Sequence, residues 1–83
     1  MKITQQTAVR EVLAHMETWL QISPRIYTPN VHLFALRLPP EKLIEALWVA
    51  QTRIPEGDLG AFKYFCGVCH RMIREQSGQL SGN

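Results

Sequence analysis

The residues with the greatest chemical reach lie close together near the C-terminus, in the run Cys66-Gly67-Val68-Cys69-His70. Its spacing is C-x-x-C-H, the pattern for covalent haem, in which two thiols add to the vinyl groups and the imidazole ligates iron. Zinc is a second chemistry for the same residues. It wants four ligands; Cys66, Cys69 and His70 supply three, and His15 or His32 would have to add the fourth from elsewhere in the fold. A thiol–disulfide exchanger would place the motif at the start of a helix that follows a strand, and here it falls inside a helical pattern. Both cysteines share that pattern's apolar side, where cysteine serves as a small hydrophobe. The expectation is therefore core packing, with no metal and no cofactor.

A second constellation overlaps the first. Lys63, Gly67, His70 and Arg74 recur at i, i+4, i+7 and i+11, the spacing of one ridge along a helix. Arg71 flanks it. The expected nucleic-acid-binding residues are Lys63, His70, Arg71 and Arg74, with Arg25 and Arg37 as extensions. Such cations contact phosphates, and binding of that kind is sensitive to salt. Its alternative is an ordinary solvated face. Gly67 costs a helix about 1 kcal/mol relative to alanine. It implies either close packing against another helix or room for a ligand's backbone.

No Ser-His-Asp arrangement, Gly-rich phosphate loop or H-E-x-x-H accompanies these residues. Glu41, Glu45, Glu56 and Asp58 are scattered and read as helix-end and solvated charges. The sequence points away from an enzyme.

Four segments must position this chemistry. Residues 4–20 carry Val9, Val12, Leu13, Met16, Trp19 and Leu20 at three- and four-residue steps, which predicts an amphipathic helix. Thr4 or Thr7 can cap it, and Pro24 ends it. Residues 23–30, with Pro24 and Pro29, read as a loop that exposes Tyr27. Residues 31–38 fit neither period cleanly and read as a short buried helix, because a strand would lack a partner. Pro40 suits the first turn of the next helix, which runs to Arg53 with Leu43, Ile44, Leu47, Trp48 and Ala50 inward. Residues 55–60 form a turn-rich loop, and Asp58 can cap a last helix over residues 59–75. The polar residues 76–83 read as a flexible tail.

The whole is an all-α bundle of three to five helices in one domain, residues 1–75. Its core is expected from Val9, Leu13, Met16, Leu20, Phe34, Leu43, Leu47, Phe62, Phe65, Cys69 and Met72. At 83 residues with 46% hydrophobic and 19% charged side chains, the chain is globular but small. A net charge of +2 excludes a strongly basic nucleic-acid tail. The first residues carry no apolar signal segment, and no apolar run reaches the length of a membrane helix. Together with two cysteines that need not pair, this implies a cytoplasmic protein.

Residues 38–75 carry a further pattern. Pro40-Glu41-Lys42-Leu43-Ile44-Glu45-Ala46-Leu47-Trp48-Val49-Ala50 looks like the first part of a helix of the form Leu-x-x-Glu-x-Ile-x-x-Ala-x-x-x-Ala, and Tyr64, Val68 and Met72 fall at the spacing Tyr-x-x-x-Ile-x-x-x-Trp. Both resemble the C-terminal helical domain of DnaD-like replication-initiation proteins. Here Val68 is a conservative change, and Met72 stands where that family has tryptophan. The resemblance implies a helical domain that binds DNA without strong sequence preference and contacts other replication proteins, such as a replicative helicase. It implies a C-terminal piece of a longer plasmid, phage or chromosomal replication protein. The alternative function is a protein–protein interaction domain without DNA contact, pairing through an apolar face or through residues 31–38.

Overall fold

Thr4 opens the fold as a cap: its Oγ1 accepts the Thr7 N–H at 3.1 Å, satisfying one of the orphan donors at a helix start. The computed structural model describes residues 3–81, with side chains to Gln76. Four helices follow one another: α1 (Gln5–Trp19), α2 (Pro24–Arg37), α3 (Pro40–Arg53) and α4 (Leu59–Ser81). The all-α bundle expected from the sequence is what forms, with a lone β-bridge between Leu20 and Gly57 among the described residues. No described helix is long and apolar enough to cross a membrane.

The reading of residues 23–30 as a loop is overturned. Ser23 Oγ accepts the Arg25 N–H at 3.3 Å, and Pro24 takes the first helical position. A proline there gives up only an N–H that has no helical partner. Pro29 lies inside α2 on its exposed side. The helix passes through it and continues without a break into residues 31–37. Tyr27 therefore falls in register with Val31, Phe34 and Leu38, and all four are buried. Instead of standing out in a loop, Tyr27 is 3% exposed, its ring 6.4 Å from that of Phe62. Burial, and secondarily the Glu17 carboxylate, push its phenol pKa upward.

The other junctions follow their sequence signals. Pro40 begins α3, and Glu41 sits in its first turn, where a negative charge meets the positive end of the helix. Asp58 Oδ1 accepts the Ala61 N–H at 3.0 Å and caps α4. Helical backbone continues past Glu75 to Ser81. The expected tail falls mostly on residues whose side chains lie outside the description.

Helix α3 is the hub, packing most extensively on α4 and α1. Met16, Leu20, Phe34, Leu43, Leu47, Phe62, Phe65 and Cys69 are buried as expected, whereas Val9, Leu13 and Met72 sit half-buried at the edge. Trp48 departs from the expected core: it is 54% exposed. The inward stripe of α3 is Leu43, Ala46, Leu47 and Ala50, and Trp48 stands about 100° further round the helix than Leu47.

A latch joins the end of α1 to the loop between α3 and α4. The Gln21 N–H donates to the Gly57 carbonyl at 2.8 Å, and Trp19 Nε1 donates to the Ile54 carbonyl at 3.0 Å. Alongside it, α2 and α4 run in the same direction. Tyr27 meets Phe62 near their starts, Phe34 meets Phe65 with ring centroids 6.0 Å apart, and Gln76 Nε2 donates to the Arg37 carbonyl at 3.2 Å.

Candidate functional site

The C-x-x-C-H residues share a helix but not a direction. Successive residues are separated by about 100° around the axis. Cys69 points into the core, Cys66 is half-buried, and His70 is exposed. No group of three His, Cys, Asp or Glu side chains among the described residues converges as a metal site would require. The candidate fourth ligands lie elsewhere: His15 on α1 packs against the Trp48 ring at 5.5 Å, and His32 is exposed on α2. Burial pushes both thiols up, Cys69 to about 12, helped by the neighbouring Cys66. Metal-binding and nucleophilic cysteines need the opposite shift, toward thiolate.

The basic ridge has a different setting. Lys63, Gly67, His70, Arg71 and Arg74 are all exposed, on the side of α4 away from buried Ala61, Phe65 and Val68. Among the described residues the one ion pair is Lys42 with Glu45 at 3.4 Å, so Lys63, Arg71 and Arg74 have no carboxylate within 4.0 Å. His70 is anchored, its ring meeting the edge of Phe34 at 5.1 Å between centroids. Gly67 does not serve helix packing: a Cβ placed there would meet nothing within 4 Å.

Charge is divided between the two halves of the bundle. Helices α2 and α4 carry five of the nine Lys and Arg residues but one of the seven Asp and Glu residues, Glu75. Arg25 and Arg37 of α2 are both exposed, about 120° apart around the helix axis. The carboxylates of α1 and α3 fall on the other half.

The family-motif positions lie on α4, with Val68 buried and Tyr64 and Met72 half-buried against the core. They support the packing of the helix rather than a surface. Residues 31–38 read as a buried helix, and the structure leaves Leu33 and Leu36 of that segment exposed. The loop expected over residues 23–30 is instead the first half of that helix. The signal that reveals it is Ser23-Pro24, a cap followed by proline at the first helical position.

With this geometry established, comparison with known proteins adds no relative: no protein-family model, curated protein or solved structure matches the chain.

Proposed function

We propose that the chain is a non-enzymatic module that binds DNA, laying the ridge of Lys63, His70, Arg71 and Arg74 along phosphates. The observation that carries this reading is that the ridge cations are exposed and unpaired among the described residues. Cations held in surface ion pairs would have to break them before meeting a phosphate; these are free to release counterions on contact. Open space at Gly67 lets a backbone come close to the middle of the ridge. Within this reading the DnaD-like pattern suggests a replication role in the cytoplasm, with a replicative helicase among the partners.

Fluorescence anisotropy of labelled single- and double-stranded DNA across a salt series tests the proposal. Three or four phosphate contacts on duplex DNA give a log–log slope of about −3. A flat response, or no binding at low salt, overturns it.

A second reading, a protein–protein interaction domain, is favoured by a separate observation. Leu33 and Leu36 stand exposed on α2.

A further inference from the structure

Leu36 is 76% exposed and Leu33 59%. Single exposed leucines are ordinary, but Leu36 has an unusual position. It forms the crest between two grooves. One, of about 530 Å³, lies between α1 and α2 and is lined by Val9, Leu13, Ala35 and Leu36. The other, of about 450 Å³, lies between α2 and α4 and is lined by Leu33, Phe34, Leu36 and Ile73. Gln5 Nε2 donates to the Ala35 carbonyl and holds the start of α1 against α2 beside the first groove.

The ionisable residues of these grooves have one sign. Arg10 and His32 line the first with Gln5 and Gln6, Arg37 and His70 the second with Asn30, and among the described residues neither contains an Asp or Glu. An apolar crest and two apolar floors bordered only by basic or neutral groups specify the complementary partner. It carries apolar side chains at three- and four-residue spacing, which straddle a ridge when a helix lies in a groove. It carries carboxylates on both flanks. A second copy of this chain fits poorly by the same criterion: α2 has Arg25 and Arg37 and no acidic residue, so pairing α2 with α2 sets like charges together. We infer that the outer face of α2 docks an acidic amphipathic helix of a partner protein, its apolar side chains seated on either side of Leu36. This inference stands apart from DNA binding by α4, although His70 borders both surfaces.

The test uses a labelled helical peptide of about five turns, with leucines at three- and four-residue spacing and glutamates on both flanks. A matched peptide has lysines in place of the glutamates. The acidic peptide should bind the full chain and the lysine peptide should not. Leu36→Ala should weaken binding about tenfold with an unchanged melting temperature, since the side chain is exposed. Arg10→Glu with Arg37→Glu should weaken it comparably, and more at low salt than at high. Lys63→Glu with Arg71→Glu should leave it unchanged, which separates this surface from the α4 ridge. Absence of acidic-peptide binding, equal binding of the lysine peptide, or indifference to Leu36→Ala overturns the inference. So does a concentration-dependent dimer in sedimentation that Leu36→Glu dissolves, since that outcome gives the face to a second copy. Loss of DNA binding alone affects only the reading of α4.

Discussion

A Cβ on Gly57 would lie 1.9 Å from the carbonyl oxygen of Trp19, closer than any real contact. The close approach of these two backbones lets Leu20 and Gly57 bridge and lets Gln21 donate to the Gly57 carbonyl. The three nearest atoms, the Trp19 carbonyl oxygen and carbon and the Leu20 Cα, are all main-chain, so none can swing aside. Gly57→Ala should destabilise the fold by about 2 kcal/mol or more, read as a lower urea midpoint. A midpoint equal to the wild type would show that the latch opens without cost.

Gly67 should behave in the opposite way. Its neighbourhood is empty and it sits within a helix, so Gly67→Ala should stabilise by about 0.5–1 kcal/mol. DNA affinity should fall in the same variant, because the added methyl stands in the middle of the ridge. Stabilisation with unchanged affinity would remove Gly67 from the interface.

Pro29 withholds an N–H from the interior of α2 and crowds the carbonyl of the preceding turn. It is exposed, and nothing in the core depends on its ring. Pro29→Ala should raise stability by at least about 1 kcal/mol and leave the buried position of Tyr27 intact. Thermal denaturation checks the first expectation, and protection of the α2 amides from exchange checks the second.

Charge reversal addresses the ridge directly. Replacing Lys63, Arg71 and Arg74 together with glutamate should abolish DNA binding while leaving the melting temperature within a few degrees, because all three are exposed. Unchanged DNA binding would place the contact elsewhere.

The thiols give a pH signature. Cys69 ionises at about 12 when folded, against an ordinary value of 9.0. Between those values the unfolded chain releases a proton that the folded chain retains. Stability is thus lost as pH rises through that window and is fully retained below it. Comparing urea midpoints at pH 7 and pH 10 should show a decline that Cys69→Ala reduces. Equal declines in the two proteins would mean that Cys69 is not held as a buried thiol.

Much of this architecture was readable where local chemistry and periodicity agree. Thr4 and Asp58 cap, Pro40 starts and Arg53 ends helices as their types dictate. The difficulty lay in residues 23–30. Two prolines suggest a loop, but Pro24 occupies the one helical position that tolerates it freely, and Pro29 is carried on the exposed side. The loop reading put Tyr27 outside the core, where the helix buries it. Trp48 illustrates a different limit: the apolar pattern of α3 is wider than the stripe its neighbours cover, and composition does not say which edge stays uncovered. For the candidate site, the sequence placed Lys63, His70, Arg71 and Arg74 on one helix. That carboxylates of the other helices make no ion pair with them depends on how those helices pack, which spacing within α4 does not specify.

The division of charge between the two halves gives the molecule an electric dipole. In the field of any polyanion it experiences a torque as well as a pull, turning α2 and α4 forward and α1 and α3 away before contact. Orientation is then settled during approach rather than after collision. A nearly neutral chain can in this way gain an encounter rate that its net charge of +2 would not suggest. Added salt shortens the reach of that torque to about 8 Å under physiological conditions, leaving alignment to the last few water layers.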